Sequence, residues 1–340
     1  MDRRLVASLH FGEAPDKLSN HNPGGHPMTT QLPVLQIGVD VSKAELVINL
    51  SDNSEVTIAN SQSAINKWLS ELPGKVEIAM EATGGYHLAL ALLAHKKHHT
   101  VFMLNGYRLN RYRECVGVRA KTDRNDARLL RRYLQHERGE LNPWKPAPQA
   151  QSRLQALLSR RSVVVSCRVR IEQSMAGMPE LKQTLAALKK ELHLVEKQIE
   201  KMLRDLVKEA GWEDDMKRCQ AIEGVGPLTS IALTSTFHRG RFSNSDAFIA
   251  YLGLDVRVRD SGKMRGKRKL TKQGNSEIRR LLYLAAMHAK RKEIWREFYD
   301  RHINRGLAPV QVLTILARKL ARVAFSLMKN QTEYRPKQLA

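Results

Sequence analysis

Val34-Leu35-Gln36-Ile37-Gly38-Val39 is a short apolar run that ends on an acid, Asp40, and its reading decides the fold. An apolar run of this length, bounded by polar residues, predicts a buried strand. Working outward, Glu45 to Leu50 and Glu55 to Ile58 read as two more strands joined by polar turns. Ser61 to Leu72 reads as a helix, opened by a hydroxyl cap and stopped before Pro73-Gly74. Lys75 to Met80 is a fourth strand that runs directly into Glu81, and Thr100 to Leu104 is a fifth after a helix from about Tyr86 to His95. A basic loop follows, then a helix from Asp123 to Gln135.

Three strands, a helix, then alternating strands and helices is the order of a ribonuclease-H-like mixed sheet, an α/β domain placed at residues 30–141. Residues 1–29 read as a disordered tail or upstream extension, with Met28 a second plausible initiator. Asn142-Pro143-Trp144-Lys145-Pro146-Ala147-Pro148 is a stiff linker and the clearest boundary in the chain. Beyond it no strand is predicted. Leu181, Leu185, Leu188, Leu192, Val195, Ile199, Met202 and Leu206 recur in alternating steps of four and three, a heptad seam. It predicts a coiled coil within a linker and helical segment at 142–215, and self-association through it; a helix packed on its own domain is the competing reading. Residues 216–332 read as a mainly helical, all-α domain closed by an amphipathic helix after Pro309, with 333–340 a C-terminal tail.

The chain has 340 residues and a formal net charge of +23, with 57 Lys and Arg against 34 Asp and Glu. Hydrophobic residues make up 42%, enough for real cores, so global disorder is excluded. An excess of positive charge spread along the whole chain calls for a polyanion, and nucleic acid fits better than a membrane surface. No apolar run reaches the roughly 18 residues of a membrane span. Cys115, Cys167 and Cys219 are odd in number and far apart, which suits a reducing cytoplasm and no disulfide framework.

Four acids stand where chemistry would want them. Asp40 and Glu81 end strands, at the lip of a sheet where open α/β folds bind ligands. Asp123 and Asp126 are three apart at a helix start, hence on one face. Each alone suits a structural role: a turn residue, an N-cap, an acid favoured by the helix dipole. Together they repel unless cations neutralise them. Hard oxygen ligands select Mg²⁺ or Mn²⁺, a pair of which would clamp a phosphodiester displacement. An actin-like sugar kinase also begins with a strand ending in Asp, but needs glycines where Val41-Ser42-Lys43 stands.

Arg257 to Arg280 carries ten Lys or Arg and two acids. Arg257, Arg259, Lys263, Arg265, Lys267, Arg268, Lys269 and Lys272, with Lys121 in the first domain, are the expected nucleic-acid contacts, and the interspersed glycines let backbone approach phosphate. Within this segment Asp260-Ser261-Gly262 is ordinary turn chemistry, and a nucleophilic role for Ser261 would need activation by neighbouring charge or an unidentified base. Ser276 reads as a helix cap. Ile222-Glu223-Gly224-Val225-Gly226-Pro227 is similar to the hairpin of helix-hairpin-helix modules, with Gly224 and Gly226 presenting N–H groups to phosphate, and fits a plain interhelix turn equally well.

With these residues in view, the chain from about Val34 to Lys329 resembles the insertion sequence 110 family of transposases, the bridge-RNA-guided DEDD recombinases related to the Piv invertase. The resemblance rests on residues 37–43 (IGVDVSK), 80–86 (MEATGGY), 121–128 (KTDRNDAR), 222–227 (IEGVGP), 248–256 (FIAYLGLDV), 260–275 (DSGKMRGKRKLTKQGN) and 279–283 (RRLLY), in this order. It implies a RuvC-like domain whose metal tetrad is Asp40, Glu81, Asp123 and Asp126, and a transposase domain whose nucleophile is Ser261. It further implies a composite site assembled between subunits, a phosphoserine link to DNA, and a non-coding bridge RNA that pairs with donor and target DNA. The coiled coil suggests a dimer, and synapsis of two DNAs suggests a dimer of dimers, so a homo-oligomer on DNA is expected. The segment after Ser261 is one residue shorter than the family's usual form and lacks a neighbouring second serine. The competing functions are a metal-dependent junction-resolving nuclease, which would leave free ends, and a non-catalytic nucleic-acid-binding protein, against which the four acids argue.

Overall fold

The computed structural model describes residues 34–118, 122–258, 260–262, 264–266 and 268–336. The predicted N-terminal tail, the end of the C-terminal tail, and Lys121, Arg259, Lys263 and Lys267 lie outside the described residues, as does the side chain of Arg265. The chain divides into two compact units, residues 1–146 and 147–340.

The first unit runs β1 (Gln36–Val41), β2 (Glu45–Asn49), β3 (Glu55–Ala59), α1 (Gln62–Glu71), β4 (Glu77–Glu81), α2 (Leu88–Lys96), β5 (Thr100–Leu104), α3 (Gly106–Cys115) and α4 (Asp123–Glu137). Its five strands, among the described residues, form one mixed sheet in the order β3-β2-β1-β4-β5. The first three are antiparallel neighbours, whereas β4 and β5 join β1 in parallel. This is the ribonuclease-H-like arrangement that the strand order predicts. The predicted strands and helices fall on the observed ones within about two residues, the usual uncertainty of element ends. One helix was not anticipated: the basic loop after β5 is α3, capped by Asn105, whose side chain accepts from the N–H groups of Tyr107 and Arg108. Its polar, Arg-rich sequence hides the periodicity, and only Leu109 is buried.

Alternation along β1 and β4 builds a core on each face of the sheet. Ile37, Val39, Val41, Ile78 and Met80 face α1 and α2, packing with Ile65, Trp68, Leu69 and Leu90. On the opposite face Ala79, Phe102 and Leu104 pack against Leu109 of α3 and Leu129, Leu130 and Leu134 of α4. Helix α4 lies so close to β1 that a Cβ on Gly38 would sit 2.0 Å from the Ala127 carbonyl oxygen and 2.5 Å from the Arg131 nitrogen. Only glycine fits there. Arg131, buried, pins the helix by donating from Nε to Asn49 Oδ1 at 2.6 Å, from Nη1 to the Ser51 carbonyl at 3.2 Å, and from Nη2 to Asn53. The linker is tied to this unit too: the Trp144 N–H donates to the Val101 carbonyl at 2.7 Å and its ring packs at the edge of the core.

The second unit holds α5 (Gln149–Ser174), α6 (Lys182–Glu209), α7 (Glu213–Gln220), α8 (Pro227–Phe237), α9 (Ser245–Tyr251), four two-residue strands β6 (Val256–Arg257), β7 (Asp260–Ser261), β8 (Met264–Arg265) and β9 (Lys269–Leu270), then α10 (Ser276–Ala289), α11 (Glu293–Ile303) and α12 (Pro309–Asn330). The strands pair as β6–β9 and β7–β8, both antiparallel, in a region where none was expected. Two residues are too short to show an alternating pattern. Helices α5 and α6 form an antiparallel hairpin, cross-linked by Arg161–Glu200 at 2.7 Å, Arg168–Glu196 at 2.8 Å and Lys189–Glu172 at 3.2 Å. The heptad seam is therefore split. Leu203, Leu206 and Val207 enter the same core as α8, α10 and α12, with Ile199 packed against it. Leu181, Leu188 and Val195 remain exposed. Among the described residues Ile199 and Leu206 of the seam pack on their own unit, as the competing reading had it, and a coiled coil is not confirmed.

Candidate active site

The carboxylates are placed by pleat and register. Gly38 and Asp40 are two apart on β1 and project from one face; Ala79 and Glu81 do the same on β4. Gly38 is the register partner of Ala79, and Val39 of Met80, so Asp40 and Glu81 are neighbours at the same end of two adjacent parallel strands. Because the Ala127 backbone rests on Gly38, the first turn of α4, which carries Asp123 and Asp126, stands over that end of the sheet. Thr122 caps α4 with its hydroxyl accepting from the Asn125 N–H at 3.3 Å. The cap role considered for Asp123 thus belongs to its neighbour, and both acids lie in the first turn.

The electrostatics follow. The Asp40 carboxyl is pushed up from 3.8 to about 6, first by burial, then by the charges of Asp126 and Asp123, with Glu81 adding to them and the Val41 N–H opposing. Asp40 therefore senses the other three predicted acids. Among the described residues they do not converge as a ready-made set of three or more metal ligands. Without a cation four negative charges repel, and Asp126 has taken a protein partner: Arg113 Nη2 donates to its Oδ1 at 2.7 Å, with both side chains nearly enclosed. Glu81 sits against the start of α3, where a Cβ on Gly106 would be 2.1 Å from its Oε1. Asp123 is exposed. The set fits a hard divalent cation in donor chemistry, being all carboxylate, and in charge, since Asp40 is raised by the very neighbours a cation would neutralise.

In the second unit Ser261 is exposed on β7, and Gly262 turns the hairpin with φ +54°. Asp260, beside the serine, accepts from Arg268 Nη1 at 2.6 Å and Nη2 at 2.8 Å, and from the Gly266 N–H at 3.2 Å. These bonds, that of Arg268 foremost, hold its carboxyl below the usual range. Asp260 is a clamp on the hairpin and not a base for Ser261. Arg268 is thus engaged within the chain. Arg257 and Lys269 are cross-strand partners with exposed side chains, and Lys272 is exposed in a left-handed turn at φ +56°. The glycines of the predicted hairpin differ from each other. Gly224, at φ +88°, is pressed against α10, where a Cβ would lie 2.6 Å from Ala289, so packing is what demands glycine there. Gly226 precedes Pro227 at the start of α8 and faces open space. The cap of α10 is Asn275 and not Ser276, its side chain accepting from the Glu277 and Ile278 N–H groups.

Reasoning from sequence missed Gly38, Gly106, Arg113 and the clamp on Asp260. Gly38 alone carried a signal: a glycine two positions before a strand-end acid shares its face.

Comparison with known proteins assigns the chain to a class, the DNA transposases. Residues 37–186 match a family of DEDD transposases named for IS110, and residues 216–300 match the family described as Transposase IS116/IS110/IS902. The chain belongs to the IS110 family of transposases. Among its relatives is the pilin gene-inverting protein of Moraxella lacunata, 24% identical over 88% of this chain and 97% of that one. A probable family 20 transposase of Pseudomonas aeruginosa is 24% identical over 88% of this chain and 98% of its own. The transposase for insertion sequence element IS1111A of Coxiella burnetii is 28% identical over 46% and 44%. Among the described residues no helix is long and apolar enough to cross a membrane.

Proposed function

We propose that this transposase exchanges DNA strands through a serine nucleophile, Ser261, working with a divalent-cation centre on Asp40, Glu81, Asp123 and Asp126, and that a bridge RNA pairing with donor and target DNA directs it. The observation that carries the reading is the coupling of the half-buried Asp40 carboxyl to three other acids at one end of the sheet. Nothing about gripping a polyanion calls for clustered acids, so a purely binding role is disfavoured. Mg²⁺ or Mn²⁺ held by these carboxylates would supply Lewis-acid stabilisation of charge on phosphoryl oxygens.

The remaining chemistry belongs to the chain. Ser261 Oγ would form a bond to phosphorus while one phosphodiester bond of the strand breaks, the departing deoxyribose oxygen taking up a proton. The ester link is kept as phosphoserine, so rejoining to a second strand needs no external energy source. The Asp260–Arg268 clamp holds Ser261 at an exposed hairpin. Arg257, Lys269 and Lys272, together with the predicted contacts Lys121, Arg259, Lys263, Arg265 and Lys267, would bind phosphate backbone, as would N–H groups at Gly226. Exposed Leu181, Leu188 and Val195 are where a second copy would dock in a dimer or tetramer on DNA. The cytoplasm, where nucleic acid and reduced thiols coexist, is the expected location.

The test is a denaturing gel of full-length protein incubated with matched DNA, the element's own RNA and Mg²⁺. A protein–DNA adduct, releasing phosphoserine on acid hydrolysis and absent from Ser261→Ala, is expected. Cleaved DNA with free ends and no adduct would establish the junction-resolving nuclease instead.

A further inference from the structure

One member of the acidic cluster already holds a cation supplied by the protein. Arg113, from α3, donates through Nη2 to Asp126 Oδ1 at 2.7 Å, the two side chains being only 14% and 12% exposed. A second nitrogen, Nη1, donates to Asn110 Oδ1 at 3.0 Å, which aims the guanidinium from within its own helix. Its Nε is buried with no hydrogen-bond partner among the described residues. A buried donor left unmatched costs free energy, so this arrangement is not one in which every nitrogen of Arg113 is satisfied. The neighbouring Arg111, by contrast, is exposed and spends its charge on Glu114 and the Tyr107 ring at the surface.

Asp126 is also the acid that presses hardest on Asp40. A carboxylate engaged by an enclosed guanidinium has part of its charge neutralised and one lone pair taken, and is a weaker ligand for a metal ion. We propose that Arg113 is a resident counter-charge that competes with the divalent cation for Asp126: it keeps the cluster bearable while metal-free, and loading requires it to let go. Arg113 is on this view a positioning residue that sets metal affinity, and the inference rests on the divalent-cation reading above.

The experiment titrates full-length, metal-stripped protein with Mn²⁺ alone, without nucleic acid, by calorimetry and by the rise in melting temperature. The variants are Arg113→Gln, Arg113→Lys and, as a control for bulk charge, Arg111→Gln. Removing a unit charge at the ligand should tighten Mn²⁺ binding roughly tenfold in Arg113→Gln, with less than about twofold change in Arg111→Gln. Arg113→Gln should also melt lower than wild type in chelator and recover more on adding Mn²⁺. Unchanged or weaker Mn²⁺ binding by Arg113→Gln would overturn the proposal and leave Arg113 a structural strut. If that variant does not fold, Arg113→Lys decides: without the planar fork it should bind Mn²⁺ more tightly than wild type, and equal or weaker binding overturns the idea. Wild type that binds no Mn²⁺ in any assay brings down the divalent-cation reading, and this inference with it; wild type that binds, with variants no tighter, sinks this inference alone.

Discussion

Asp40→Asn should stabilise the metal-free protein while destroying its chemistry. The Asp40 carboxyl titrates near 6 in the folded chain against 3.8 for the ordinary value, for reasons of burial and neighbouring acids. Burial and the neighbouring acids disfavour its charge, and because the group is only partly enclosed, solvent screening leaves a penalty on the order of 1 kcal/mol. The sign follows from linkage: the folded state holds this proton more tightly than the unfolded one, so stability is lost as pH rises from 3.8 through 6 and the full penalty stands at neutral pH. Asparagine keeps the shape and discards the charge. In EDTA at pH 7.5, Asp40→Asn should therefore be more stable by on the order of 1 kcal/mol, the advantage shrinking towards zero by pH 4. Hydrogen exchange of β1 and β4 peptides along a urea titration isolates the first unit from the second. Saturating Mn²⁺ should then stabilise wild type and leave the variant where it was. A variant no more stable than wild type at pH 7.5, or an advantage that does not depend on pH, would refute the claim that these acids share a site.

Other perturbations address the scaffold and the second unit. Gly38→Ala places a methyl group against the backbone of α4, which cannot retreat as a flexible side chain would; a loss of roughly 3 kcal/mol or more is expected in the urea midpoint of the first unit, and strand exchange should fall with it. Asp260→Asn frees Arg268 and loosens the hairpin beneath Ser261, so adduct formation on a denaturing gel should drop while Mn²⁺ binding stays at the wild-type value. DNA affinity should fall steeply with salt, each phosphate contact adding roughly −0.9 to the log–log slope; a flat plot from filter binding would contradict the use assigned to the +23 charge.

The first unit was legible because its signals are local and regular. Ile37 to Asp40, Lys75 to Glu81 and Thr100 to Leu104 are short apolar runs, and the observed β1, β4 and β5 coincide with them closely. Strand-end acids are visible in a linear chain, and their shared face needs only the alternation of a strand. What could not be read was contact across the fold. Arg113 looks like any arginine of a basic loop until α3 forms and turns it to Asp126. Gly106 carries no local sign of its place beside Glu81, which is set by packing across the fold. The heptad seam misled for a related reason. Ile199 and Leu206 at one end join the core that holds α8 and α12, while Leu188 and Val195 are exposed; a periodic stripe states that a face is apolar and is silent on what covers it.

The two chemical groups are held in opposite ways, and the difference matches what each must do. The acids stand on adjacent strands of a five-stranded sheet with α4 locked to it through Gly38 and Arg131, so their mutual repulsion cannot relax by moving the backbone apart. A cluster kept under that strain has a standing affinity for cations, since only added positive charge relieves it. Ser261 stands instead on a two-residue strand, exposed, at a glycine turn braced by a single bidentate ion pair. On the proposed mechanism a nucleophile that becomes esterified to one strand and later meets another could not be walled in. Rigid acids and a lightly braced serine would then divide the work of strand exchange: the first would keep charge concentrated, and the second would keep the covalent link accessible to both partners in turn.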